Sequence, residues 1–397
     1  MMRRLARTGM GLIVAIALVA AGWLVLRPLN RPQSQTSATL EGLRSDANSD
    51  QFAHALTPRQ FTFPQDHGPH NDFQTEWWYY TGNLTDASGR HFGYQLTLFR
   101  RALVPPGQQP SVAGRSTSFA FTQLYFGHFA VTDTSANQHV SFEKFSRSAD
   151  GLAGAQAQPF NVFLEDWSAR APGTLSADNV QLKAERDGYA IALDLNNTKP
   201  IVLEGDHGLS QKSPVRGNAS YYYSMTRMAT KGKVTTPQGT FDVTGESWLD
   251  REWSTSALDD NTAGWDWFSL QLSDNVEIMF YQLRQKDGTS AIVSQGTYVD
   301  AQGKTQVIAK DDVKIDVLDR WVSDAGVNYP MKWHMTIPKQ GLDLTITPRI
   351  KDQVMKLSQP YWEGAVSIGG SFTGKPITGE GYVELTGYTS ESPTTTH

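Results

Sequence analysis

The sequence predicts an all-β protein whose antiparallel sheets close as sandwiches or barrels, set behind a single apolar segment at the N-terminus. Three observations carry that expectation. Apolar residues recur with period two along most of the chain, as in Tyr189-Ala190-Ile191-Ala192-Leu193-Asp194-Leu195. Turn signals built from Gly, Asn and Asp separate these runs at regular intervals. Beyond short pieces, no stretch shows the 3.6-residue apolar period of an amphipathic helix.

At the N-terminus, Arg3, Arg4 and Arg7 precede an uncharged, mostly apolar run of 18 residues from Gly9 to Leu26, closed by Arg27 and Pro28. That length is at the lower edge of a membrane-spanning helix and longer than the apolar core of a cleaved signal, so residues 1–29 are read as an uncleaved signal anchor. Ala20, Ala21 and Gly22 offer the small residues that cleavage would need. With the basic residues mostly ahead of the run, everything after Arg27 is expected outside the cytoplasm, periplasmic and held to the inner membrane. Residues 30–55 are rich in Ser, Gln, Asn and Thr and read as a polar tether unable to bury a core.

The rest of the chain, roughly 340 residues, exceeds a usual single domain and suggests two. Hairpins are expected where Gln181–Glu185 passes through Asp187-Gly188 into Tyr189–Leu195, a dipeptide that supplies the positive φ a tight turn needs. Others are Glu76–Leu84 turning through Asp86–Gly89 into Phe92–Phe99, and Trp265–Leu272 turning at Asp274-Asn275 into Val276–Leu283, with Asp287-Gly288 leading onward. Leu103–Thr117, with Pro105 and Pro106, reads as a long loop. Closure into barrels removes exposed strand edges, and lipocalin-type barrels fit the pattern. An aromatic content of 11% suits the lining of a site for a small apolar ligand.

Composition excludes several classes. The chain has no cysteine, hence neither a disulfide framework nor a thiolate metal site. A formal charge of −5 argues against nucleic acid as a partner. There is no Gly-x-Ser-x-Gly elbow, phosphate loop or dinucleotide fingerprint, and no cofactor is expected.

Two segments set Trp beside ionisable groups. In Glu76-Trp77-Trp78-Tyr79-Tyr80-Thr81-Gly82-Asn83-Leu84, Glu76, Trp78 and Tyr80 share one strand face and Trp77 and Tyr79 the other, so a carboxylate stands among aromatic rings. If buried and unpaired, it would titrate high and suit a general acid. In Gly245-Glu246-Ser247-Trp248-Leu249-Asp250-Arg251-Glu252-Trp253, Asp250 and Glu252 flank Arg251, as an acid/base pair or as a buried ion network. Both segments also suit a purely structural role, the closing of a barrel end by Trp packed on Arg. His67-Gly68-Pro69-His70-Asn71-Asp72 has metal-binding residue types at spacings that match no standard site, so no metal is expected, and His70 becomes an acid/base candidate only if the chain folds back on Glu76.

At Glu76–Leu84, Ser247–Trp253, Tyr361-Trp362-Glu363-Gly364 and Gly381–Tyr388 the sequence resembles the AttH and carotenoid 1,2-hydratase family of exported lipocalin-like proteins, and more closely its AttH branch. The resemblance covers nearly everything after Phe61. It implies two tandem lipocalin-like barrels, residues 56–252 and 253–397. It also implies an apolar, lipid-like or isoprenoid-like ligand, with hydration or hydrolysis as the candidate reaction. Asp250 would then be the acid, Glu76 or Glu252 would direct water, and Arg251 would hold carboxylate geometry. Trp78, Tyr80, Trp253, Trp265 and Trp267 would contact ligand. Relatives encoded beside ABC-type permeases imply a second reading, a non-catalytic periplasmic carrier handing ligand to such a transporter. A third reading, an adhesion or scaffold module, expects filled barrel interiors and no cavity.

Overall fold

The computed structural model describes residues 49–108, 122–173, 177–255 and 258–390. The signal-anchor segment, residues 30–48 of the polar tether and the distal part of the Leu103–Thr117 loop lie outside them. Among the described residues the chain is strand throughout, broken by three-residue 3-10 turns such as Gln65–His67. Two antiparallel sheets result, one curled into a nearly closed lipocalin-like barrel and the other into a half-barrel.

The first sheet runs from an edge at Gln138–Arg147 through Gln123–Asp133, His91–Ala102, Thr75–Asp86, Gly239–Ser254, Ala219–Thr236 and Tyr189–Asn197. It continues through Asn179–Arg186, Trp167–Arg170 and Phe160–Leu164 to Ala153–Ala157. The second runs from Thr305–Ala309 through Gln295–Val299, Val276–Gln285, Thr262–Leu272, Lys375–Leu385, Tyr361–Phe372, Leu342–Pro348 and Asn328–Ile337 to Lys314–Val322. The expected hairpins form. Asp187 and Gly188 take φ of 51° and 84°, the paired positive values of a tight two-residue turn, and Asn275 takes 59° between its two strands.

Each sheet buries one face in its own core. Trp78, Tyr80, Tyr94, Phe129, Trp167, Tyr223 and Trp253 pack inside the first, and Phe268, Phe280, Trp333, Trp362 and Val383 inside the second. The opposite faces of Thr75–Asp86 and Gly239–Ser254 meet those of Thr262–Leu272, Val276–Gln285 and Lys375–Leu385 in a third cluster holding Tyr79, Tyr222, Trp248, Trp267, Met279, Tyr281 and Tyr382. Glu277 fastens this junction, taking Lys199 Nζ at 2.5 Å and Arg227 Nε at 2.6 Å. Gln271 Nε2 donates to the carbonyls of Thr226 and Ser247 at 2.8 and 3.1 Å.

One end of the first barrel is closed by Glu76. Its fully buried carboxylate pairs with the guanidinium groups of Arg100 and Arg251. Arg251 lies 4.0 Å from the centre of the Trp78 ring and 5.1 Å from that of Trp253. The His67–His70 segment folds over this pair: Arg251 Nη2 donates to Gly68 O at 2.6 Å, Arg100 Nη2 to His70 O at 2.9 Å, and the His70 ring stacks on Trp253 at 3.7 Å. Glu76 is therefore not an unpaired acid. Burial pushes its pKa up, but Arg100 and Arg251 together hold it well below the usual carboxylate range.

Removing one member of a buried ion pair leaves an uncompensated charge. Arg251→Ala is predicted to cost about 3–5 kcal/mol of folding stability, read from urea unfolding curves. A loss below about 1 kcal/mol, the scale of an exposed ion pair, would show that the closure is not what holds this end.

Candidate functional site

The site follows from the register of the first sheet. Because side chains alternate along a strand, residues directly opposite one another on neighbouring strands share a face. One such row on the junction face reads Ser224, Asp250, Tyr79, Thr97, His128 and Glu143. The next reads Tyr222, Glu252, Trp77, Phe99, Phe126 and Phe145. A polar, titratable row thus lies beside an aromatic one. From the second sheet Trp265, Trp267, Tyr281 and Glu384 face them, with Leu258, Lys212 and Tyr361, and the two sheets enclose a cavity of about 110 Å³. That is the order of size of an apolar cavity that admits one benzene ring, roughly 150 Å³.

Asp250 sits at the polar end of this cavity, 4% exposed. Oδ1 accepts from Ser224 Oγ at 2.6 Å and Trp248 Nε1 at 2.7 Å, and Oδ2 from Tyr222 OH at 2.6 Å. Burial pushes its pKa to about 7 against these three donors, which favour the carboxylate. Glu252 pairs with Lys212 Nζ at 3.1 Å and accepts from Ser220 Oγ. Burial works against the Lys212 ammonium, but Glu252 and Tyr281 hold its pKa up, and Nζ lies 4.2 Å from the centre of the Tyr281 ring. Glu384 accepts from Trp265 Nε1 at 3.1 Å. It is the direct cross-strand partner of Glu363, which accepts from Tyr79 OH at 2.5 Å. Burial and mutual repulsion among these acids push both pKa values up. Toward the other end, His128 Nδ1 is 3.0 Å from Tyr361 OH and its Nε2 is 3.4 Å from Glu143. Burial outweighs Glu143 and favours the neutral ring.

The candidate residues read from the sequence divide between two faces. Asp250, Glu252, Trp265 and Trp267 come together at the cavity. Glu76, Arg251, Trp78, Tyr80 and Trp253 lie on the opposite face, in the closure and core of the first barrel. Arg251 consequently does not hold Asp250 and Glu252: between two residues that point one way, it points the other, and the cation beside Glu252 is Lys212. Applying the two-residue period to Ser247–Trp253 separates them. Lys212, Tyr222 and Ser224 carry no sequence signal of their own: they stand in ordinary-looking strand and turn sequence and reach the site only through long-range pairing. Both barrel interiors are occupied by side chains, as a scaffold would have them, yet a cavity lies between the barrels, which a scaffold does not need. Among the described residues no cluster of His, Asp and Glu is arranged to hold a metal ion.

A half-barrel set against a nearly closed barrel, with an acid-lined cavity at their junction, defines a lipocalin-like protein of two antiparallel sheets. The AttH-like family profile matches residues 54–388, and the chain belongs to that family. A crystal structure of a protein assigned as AttH from Nitrosomonas europaea is 32% identical, with a TM-score of 0.73 over 85% of this chain and 100% of its own. Kievitone hydratase from Nectria haematococca, 16% identical, shares the fold with a TM-score of 0.62 over 86% of this chain and 95% of its own. No curated protein matches in sequence.

A raised carboxyl pKa means that the folded state binds a proton the unfolded chain has released. The stability it contributes is complete below the unfolded value of about 4 and is lost as pH rises through about 7, where Asp250 ionises in the fold. Unfolding is therefore predicted to be easier at about pH 9 than at about pH 6. Asp250→Asn should narrow that gap by at most about 1.4 kcal/mol, because only about one pH unit, from 6 to 7, lies within the range over which Asp250 ionises later in the fold than in the unfolded chain. Urea titrations of both proteins at the two pH values test this, and an equal gap in both would mean that Asp250 titrates like an ordinary aspartate.

Proposed function

We propose that the junction cavity is the active site of an enzyme that adds water to a carbon–carbon double bond in an apolar, ring-sized part of its substrate. The observation that carries this reading is Asp250, a carboxyl pushed to the middle of the pH range while facing an aromatic-walled cavity. A general acid works best when its pKa lies near the working pH.

In the reaction Asp250 gives its proton to one alkene carbon. The faces of Trp77, Phe99, Trp265 and Trp267 stabilise the positive charge that develops on the other carbon, as aromatic faces do for cations. A water oriented by Glu252 bonds through oxygen to that carbon, and its surplus proton passes to a carboxylate of the site. One alkene and one water become one alcohol, and the enzyme's proton count is unchanged. Run backwards, the same groups dehydrate. Glu252 faces the Lys212 ammonium whereas Asp250 faces hydroxyl and indole donors, so the two carboxyls on one strand face take different parts.

The Arg-flanked apolar run Gly9–Leu26 supports an extracytoplasmic setting, tethered to the inner membrane, in which substrate is drawn from lipid. An ABC-type permease is the partner suggested by the family resemblance. A cavity that binds without reacting would instead make the protein a carrier for that route.

The test is incubation of the full-length protein with a lipid extract of its native membrane in H₂¹⁸O, followed by mass spectrometry. The expected outcome is a product heavier by one labelled water, with Asp250→Asn lowering its formation roughly 10²–10⁴-fold, the usual contribution of a general acid. An apolar compound retained by both proteins with no labelled product would sink the enzymatic reading and leave the carrier.

A further inference from the structure

Behind Asp250, away from the cavity, stands a second buried acid that the proposed reaction has not used. Glu204, wholly inaccessible, lies in the turn between Val202–Leu203 and Leu209–Gln211, and its backbone N–H donates to Tyr222 O at 3.0 Å. Its Oε1 is 2.9 Å from Ser224 Oγ, the same hydroxyl oxygen that is 2.6 Å from Asp250 Oδ1. Its Oε2 is 2.5 Å from Thr297 Oγ1, which belongs to the second barrel.

A serine hydroxyl carries one hydrogen. It can donate to Asp250 or to Glu204, not to both. If both acids were ionised, one carboxylate oxygen would face only the lone pairs of Ser224 Oγ in a buried site, an arrangement that costs the desolvation of that group. The contacts are satisfied when one of the two acids keeps its proton and donates it to Ser224 Oγ while Ser224 donates to the other. Asp250 has two further donors, Trp248 and Tyr222, so it takes the ionised part more readily. Among the described residues, Glu204 has Thr297 as its one other hydroxyl donor besides Ser224.

We propose that Glu204 is the proton store for Asp250, coupled to it through Ser224. In the loading step the Glu204 proton moves to Ser224 Oγ as the Ser224 proton moves to Asp250 Oδ1. One O–H bond breaks and one forms at Ser224, and the net change is one proton carried from Glu204 to Asp250. After the alkene has taken that proton, the surplus proton of the added water returns through Asp250 and Ser224 to Glu204. Glu204 touches no substrate and is a positioning residue acting through Asp250. The charged and titratable groups around it agree with this. Burial pushes Glu204 to about 8, with Thr297 and Ser224 lowering it and Asp250 raising it, and Lys212 is the nearby cation that favours the ionised form during transfer. Tyr222, also facing it, stays neutral because burial and Asp250 push its pKa far up. Thr297 makes the store depend on the second barrel, since the first barrel alone leaves Oε2 without its donor.

The relay rests on the reading of Asp250 as the acid, but the shared proton can be observed without substrate. Infrared difference spectra of the full-length protein, titrated from about pH 5 to 10 with ¹³C-carboxyl glutamate incorporated, separate protonated Glu from protonated Asp. The expected result is protonated glutamate absorption at neutral pH of which one component, distinct from those of Glu363 and Glu384, is lost in Glu204→Gln. The aspartate band assigned by Asp250→Asn should titrate at lower pH in Glu204→Gln, where Ser224 is free to donate to Asp250, and at higher pH in Ser224→Ala, where that donor is gone. Each displacement should be about one pH unit, the scale at which two sites count as coupled. A glutamate band unchanged by Glu204→Gln, or an aspartate titration that moves in neither variant, would overturn the proposal. Spectral coupling without any labelled product would remove the hydratase reading and leave the shared proton standing. Product formation unaffected by either variant would remove the relay and leave the hydratase.

Discussion

The alternation of side chains along Gly239–Ser254 governs the site, because this strand, like Thr75–Asp86 beside it, serves two buried surfaces. Its neighbours Thr75–Asp86 and Ala219–Thr236 hold it in the interior of the first sheet, so neither face can turn to solvent. Leu249, Arg251 and Trp253 are committed to the barrel interior, and Trp248, Asp250 and Glu252 to the junction. A slip of one residue would exchange the two sets, placing Arg251 in the cavity and two carboxylates beside Glu76. The Glu76 pair with Arg100 and Arg251 therefore does more than close a barrel end. It pins the register on which the chemistry of the opposite face depends.

The same division explains what could be read in advance. Strand content, the hairpins at Asp187-Gly188 and Asp274-Asn275 and the pairing of two lipocalin-like units are local properties, carried by short-range periodicity, turn chemistry and the Trp-rich motifs. The site is not local. Asp250 and Glu252 were legible because they sit in such a motif, whereas Arg251 was grouped with them by nearness in sequence, which a strand converts into opposite directions, and Glu76 by a Trp-rich motif of its own whose carboxylate faces the barrel interior. Glu204, Ser224 and Lys212 have no motif of their own. They meet Asp250 because strands far apart in the chain pair there, and no periodicity within one segment reports that.

Two tandem barrels offer a ligand a place between them or inside one of them. The hydrophobic cores here are made of Trp, Tyr and Phe side chains, and the acid-lined cavity falls where two sheets meet outside those cores. A junction of this kind can be polar on one side without disturbing either hydrophobic core. It also allows each barrel to bring its own part: the first contributes Asp250 and Glu252, the second Glu384, Trp265 and Trp267.

Stability alone does not account for this composition. Asp250, Glu204, Glu363 and Glu384 are buried with their pKa values displaced upward, and Lys212 is paired only with Glu252. Each displacement is free energy that folding gives up at neutral pH and above. At the other junction contact, Glu277 is matched by both Lys199 and Arg227. The closure treats Glu76 in the same way, with two arginines. Glu76 and Glu277 each have two cations, though burial still pushes the Glu277 pKa up; around the cavity, Lys212 apart, the carboxyls have hydroxyls, indole N–H groups and other acids. Those are partners that let a proton come and go.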